Sequence, residues 1–144
     1  MTKIITGCDK LNRENLVELY RVLGWSKYTE NPDGLFRAVL NSTYVVSVWE
    51  KERLLGLARS LSDDVAIHYI QDILVHPDYQ RQGLGRMLLE KCLKRFEHVR
   101  SHVLLTDNEE RQRLFYHSLG FVSNRELKKY VLNCYIKMNG VELE

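Results

Sequence analysis

The order of apolar patterning along this 144-residue chain predicts an α/β protein of the α+β kind, with a mixed, mostly antiparallel central sheet flanked by helices. Three strand-like runs, residues 44–49, 54–61 and 65–75, follow one another through short polar turns, which makes an antiparallel meander. Helical periods lie on both sides of that meander, at residues 11–23, 32–40 and 84–96. A strand at 102–106 is reached only through the last of these helices, so it must run parallel to the long strand by a right-handed crossover.

Each element has a local reason. Residues 3–7 form a short first strand. In 11–23, Leu16, Leu19, Tyr20 and Leu23 share one helical face, Asn12 is placed to cap the start and Gly24 to end it. Residues 25–30 read as a loop carrying two aromatics, Trp25 and Tyr28. Asn31-Pro32 then supplies a cap followed by proline at the first helical position. Residues 50–53 are a charged hairpin tip and 62–64 a turn. Pro77 stops the long strand, because it has no N–H to give to a ladder. From Leu84 the period turns helical: Leu84, Leu88, Cys92 and Phe96 form one stripe, while Arg86, Glu90, Lys94 and Glu97 fall elsewhere. Residues 108–119 are a further helix, Gly120 to Val122 opens a strand, and 130–137 is the last strand. No repeat, linker or low-complexity stretch divides the chain, so residues 1–144 read as a single domain.

Composition narrows the function. Hydrophobic residues make up 44% and charged residues 28%, which is enough apolar material for one core. A net charge of +2, with the basic residues interleaved among acids, is too small to imply nucleic acid or an anionic membrane surface as partner. No apolar run reaches the length of a membrane span and no signal-like segment opens the chain, so the expected location is the cytoplasm. Cys8, Cys92 and Cys134 lack metal-ligand spacing and read as free thiols, and the five histidines are scattered; no metal is expected.

One stretch carries chemistry. Between the long strand and the helix at 84–96 lies Gln80-Arg81-Gln82-Gly83-Leu84-Gly85. Two glycines at a helix start let several N–H groups converge, and with the positive end of the helix dipole they suit a phosphate; Arg81 and Arg86 add charge. The dinucleotide fingerprint fails because Leu88 stands in place of its third glycine, and the nucleoside-triphosphate loop fails because no Gly-Lys-Ser/Thr follows.

What remains, Q-x-x-G-x-G after a strand, closely resembles the acyl-CoA-binding motif of the GNAT N-acetyltransferase family. A second segment, LFYHSLGF at residues 114–121, is similar to that family's F-Y-x-x-L-G-F, and the order of elements matches the GNAT fold from end to end. The resemblance implies acetyl-CoA as acetyl donor and direct transfer to a primary amine of a small-molecule acceptor within a ternary complex. It implies that Arg81, Gln82, Gly83, Leu84, Gly85 and Arg86 hold the pyrophosphate, and that the backbone of Ile73, Leu74 and Val75 pairs with the pantetheine arm. The N–H of Leu74 or Val75 would polarise the thioester carbonyl, and Tyr116 would protonate the leaving thiolate. Trp25 and Tyr28 would form an aromatic wall of the acceptor pocket, which in this fold lies between the loop after the first helix and the last two strands.

The match has gaps. Gln71 stands where relatives often carry a carboxylate, which leaves its neighbour Asp72 either as a general base or as a cross-strand partner of Arg59. Asn108 comes one residue too early for the family's asparagine, and Gln80 serves either the ligand or the loop. A non-catalytic acyl-CoA-binding sensor is the alternative function. Relatives that dimerise through strand or helix contacts leave room for a homodimer.

Overall fold

The computed structural model describes residues 1–143. They fall into two compact units, Met1–Leu105 and a second that starts at Thr106. The first unit runs β1 (Lys3–Thr6), α1 (Arg13–Val22), α2 (Ser26–Thr29), α3 (Pro32–Leu40), β2 (Tyr44–Glu50), β3 (Arg53–Ser62), β4 (Ile67–Val75), a 3-10 turn (Pro77–Tyr79), α4 (Leu84–Arg95) and β5 (Ser101–Leu104). Its strands lie in the order β1-β2-β3-β4-β5. The first four are antiparallel, and β5 runs parallel to β4. This is the mixed, mostly antiparallel sheet that the sequence predicts.

Local chemistry fixes the helix starts. The Asn12 side chain accepts from the Asn15 N–H at 2.8 Å while Asn15 Oδ1 accepts from the Asn12 N–H at 3.0 Å, so two orphan donors of α1 are satisfied reciprocally. Asn31 accepts from the Gly34 N–H at 3.0 Å ahead of Pro32 at the first position of α3. The expected loop at 25–30 contains the one-turn α2, too short to announce itself by period.

The sheet is covered on both faces. On one, Leu16, Leu19 and Tyr20 of α1 and Leu35 and Val39 of α3 pack on Val45, Trp49, Leu57 and Leu74. On the other, Leu84, Leu88 and Cys92 of α4 pack on Val46, Val48, Leu55 and Ala58. Double coverage explains why β2 and β3 read as continuous apolar runs. It also explains Gly56: a Cβ there would meet the Leu74 carbonyl oxygen at 2.9 Å and Leu88 Cδ1 at 3.2 Å. Strand and helix approach each other over that bare position.

Two features of β4 are decisive for the site. Arg59 of β3 opposes Asp72 while Ser60 opposes Ile70, so Gln71 is an extra, bulged residue. Pairing with β5 covers only Ile67 to Ile70. Beyond the bulge, among the described residues, β4 pairs with β3 alone. Within the paired part, His68 is buried against Phe96, ring centroids 4.3 Å apart, and its Nδ1 meets His102 Nδ1 at 2.8 Å. Burial and then the nearby His102 push the His68 pKa down to about 4.

The second unit contains α5 (Glu110–Ser118) and a 3-10 turn (Asn124–Glu126). Gly120, at φ 91°, takes the left-handed conformation that ends α5. The strands expected at 120–122 and 130–137 do not form. A strand exists only through its partner, and β-branched composition supplies tendency without a ladder; Tyr130, Val131, Leu132, Tyr135 and Ile136 are exposed instead. No helix among the described residues is long and apolar enough to cross a membrane.

Two stability measurements test these contacts. Gly56→Ala should lower the unfolding free energy by about 1–3 kcal/mol in urea titration, since the added methyl would meet the Leu74 carbonyl oxygen and the Val48 and Leu88 side chains. Folded His68 stays neutral to about pH 4, whereas the unfolded chain takes up that proton near ~6.5. Stability should therefore fall as pH drops from ~6.5 toward ~4, by up to about 3 kcal/mol, and His68→Phe should flatten the slope.

Candidate active site

The free edge of β4 sets the geometry. In an antiparallel ladder only every second pair exchanges hydrogen bonds. The His76 N–H donates to the Leu55 carbonyl at 2.7 Å. Two residues back, Leu74 opposite Leu57 has the same phase, so its amide turns into the sheet. Ile73 and Val75 have the opposite phase and turn their backbone groups to the side that β5 has left. Their side chains pack against the α4 cluster. The Leu74 amide thus faces β3, and the Val75 amide faces the side that β5 has left.

The chain then enters the loop through interlocking contacts. His76 Nδ1 accepts from the Asp78 N–H at 3.1 Å, Gln80 Nε2 donates to the Val75 carbonyl at 3.1 Å, and the Tyr79 hydroxyl donates to Glu50 at 3.2 Å. Gln80 thus holds the loop. Arg81, at φ 63°, and Gly83, at φ 82°, both take left-handed backbone conformations before α4 begins. No side chain caps α4, because its cap residue is Gly83. The first-turn amides of Leu84 and Gly85 have no acceptor inside the helix. A Cβ on Gly83 would meet nothing within 4 Å, and one on Gly85 only Val75 Cγ2 at 3.7 Å. Packing leaves room at both positions, although the left-handed backbone at Gly83 itself favours glycine there. Together these residues fit a pyrophosphate: first-turn amides, a helix dipole and open space.

On the α1 side of the sheet, Asp72 is 3% exposed and fully engaged. Arg59 Nε donates to its Oδ2 at 2.6 Å, the Tyr20 hydroxyl to Oδ2 at 2.8 Å and the Tyr28 hydroxyl to Oδ1 at 3.1 Å. Burial opposes the Arg59 charge, but Asp72 outweighs it and holds the guanidinium pKa above its ordinary value. Burial, then the Asp72 charge, pushes both tyrosines up. Gln71 Nε2 donates to the Tyr28 oxygen at 3.1 Å. Trp25 completes the cluster, 5.6 Å from Tyr20 and 6.1 Å from Tyr28 between ring centroids.

The structure therefore brings Asp72, Tyr28 and Trp25 together beside the bulge, and sets the 81–86 loop at the end of the same strand. Tyr116 belongs to the second unit. It packs edge-on against Phe115 and Phe121, and burial raises its phenol. Asn108 is exposed ahead of α5. No cluster of three or more metal-ligating side chains occurs among the described residues.

Residues 9–121 match the model of the acetyltransferase (GNAT) family. The chain belongs to the GNAT acetyltransferase family. A GNAT-family acetyltransferase of Streptococcus pneumoniae TIGR4 shares the fold with a TM-score of 0.82 and 27% identity, covering 98% of this chain and 100% of that one. An aminoglycoside N-acetyltransferase solved in complex with CoA shares the fold alone, with a TM-score of 0.68 and 15% identity over 93% of this chain and 96% of that one. An uncharacterized N-acetyltransferase of Gracilaria tenuistipitata var. liui is 32% identical over 120 residues, 79% of this chain. This GNAT chain spans 64% of that relative's length.

The hydroxyl of Tyr20 escaped the sequence reading, which placed the residue on the apolar face of α1. The signal was present: a phenol on a buried stripe needs a polar partner, and Asp72 is an acid in the interior of a strand on the sheet that α1 covers. Arg59→Met leaves the Asp72 charge buried without its cation, and should cost about 3–5 kcal/mol in denaturant unfolding. Adding Asp72→Leu to that variant should recover part of the loss.

Proposed function

We propose that this GNAT protein moves the acetyl group of acetyl-CoA to a primary amine of a small-molecule acceptor by direct attack in a ternary complex. The observation that carries this reading is a strand whose backbone groups at Ile73 and Val75 lie on a free edge and which leads straight into the uncapped start of α4. One continuous piece of chain thus supplies a ladder for an amide-bearing arm and amides for a pyrophosphate. Binding at the loop, remote from the reacting carbon, fixes the thioester along β4.

Each residue then has a role. The Val75 N–H polarises the thioester oxygen as negative charge develops there. Tyr116, whose raised phenol keeps its proton at neutral pH, gives that proton to the departing thiolate. Asp72 acts through Tyr28. A proton passed from an ordinary ammonium to an ordinary carboxylate climbs about 6 pKa units, or about 8 kcal/mol, so a carboxylate shared with Arg59 serves to hold Tyr28 in place. The ammonium's first proton leaves to water before attack, the second passes to water after it, and Tyr116 regains its proton from solvent.

Calorimetric titration of acetyl-CoA tests the reading. Wild type should bind. Gly83→Asp/Gly85→Asp, which sets carboxylates where the pyrophosphate would lie, should fold and not bind. Gly85→Ala should keep or raise stability, by up to about 1 kcal/mol of helix propensity, and still bind acetyl-CoA more weakly, because its methyl projects into space that the protein itself leaves open. With an amine that turns over, Tyr116→Phe should lower kcat by about 10²-fold or more. Folded wild type that binds no acetyl-CoA would sink the proposal; binding without thiol release across a wide amine panel would mark a sensor.

A further inference from the structure

The hydroxyl of Tyr28 is held in one orientation. Its single proton goes to Asp72 Oδ1, and Asp72 is itself held by Arg59 and Tyr20 on its other oxygen. A phenol has one donor and two acceptor sites. With the proton committed, the Tyr28 oxygen offers its surroundings lone pairs only. Gln71 shows what that oxygen takes: an N–H donor, at 3.1 Å, from an exposed and flexible side chain. Gln71 is also the bulged residue at which β4 loses β5, two residues before Ile73. The Tyr28 oxygen therefore lies beside the residue at which the unpaired stretch of β4 begins.

We infer that Tyr28, locked by Asp72, is the residue that positions the acceptor's nitrogen, by accepting an N–H from a primary ammonium or amine that displaces Gln71. This rests on the acetyltransferase reading and deepens it. An amine that gives an N–H to Tyr28 has its remaining bonds and its lone pair directed elsewhere, free to face the edge of β4. The device selects for N–H donors rather than for positive charge alone. The Trp25 and Tyr28 rings by themselves would attract any cation, a quaternary one included.

Two probes of equal charge separate those possibilities: n-butylammonium, which has N–H donors, and n-butyltrimethylammonium, which has none. Each is titrated into CoA-saturated protein carrying ring-labelled tyrosine, with the Tyr28 resonance followed by NMR. The expected result is that n-butylammonium shifts Tyr28 and binds at least about tenfold tighter than the quaternary ion, the weight of one good hydrogen bond. Tyr28→Phe should erase that preference and leave CoA affinity unchanged. Equal binding of the two probes, or no response from Tyr28 to n-butylammonium, overturns the inference. The wild-type comparison decides the matter even if the variant fails to fold. Protein that binds CoA but shows no preference loses this inference alone; protein that does not bind CoA loses the acetyltransferase reading with it.

Discussion

A carboxylate placed inside a protein has to be answered from several directions at once, and Asp72 is that carboxylate here. An ion buried with one oxygen unsatisfied costs more than most single contacts return. The answers come from four places: Arg59 on the adjacent strand, Tyr20 on α1, Tyr28 on α2, and the bulge at Gln71 that turns the neighbouring side chain toward the same cluster. Satisfying Asp72 therefore fixes the first helices over the sheet, and fixes them where β4 parts from β5. The polar hub does what apolar packing alone does poorly. It sets one orientation among several that bury similar area.

That hub makes the two faces of the sheet unlike. On the α4 side the contacts are mainly apolar, with Gly56 letting Leu88 and the Leu74 carbonyl come close and with His68 set against Phe96 at the helix's end. On the α1 side the apolar core gives way, toward the bulge, to tyrosine, arginine and aspartate. On the proposed function, the acyl donor's end of the site would be made of backbone and the acceptor's end of side chains.

Much of this was legible in the sequence, where period and punctuation agree. Asn12, Asn31-Pro32, Pro77 and the Leu84–Leu88–Cys92–Phe96 stripe each have a local cause that no tertiary contact overrides. The turn at Gly83 into α4 was legible because its backbone demand is local as well. What escaped depends on partners far along the chain. Tyr20 reads as apolar until Asp72, 52 residues on, shows where its hydroxyl goes. The one-turn α2 is too short for a period. Residues 130–137 have the composition of a strand, yet pairing is a property of two segments, and one segment's composition does not reveal it.

The free edge of β4 has a consequence for how such a protein changes over generations. At Ile73 and Val75 the side chains point into the α4 cluster, while the backbone groups lie in the plane of the sheet and face outward. The two demands are orthogonal, so replacing one apolar residue by another at these positions is judged by the core and hardly registers along the edge. On the proposed function, the donor end is in this sense written in a script common to every amino acid. Inheritable variation in what the protein accepts would then be left to Trp25, Tyr28 and their neighbours, where a single side chain alters the chemistry offered and the acyl donor's track stays as it was.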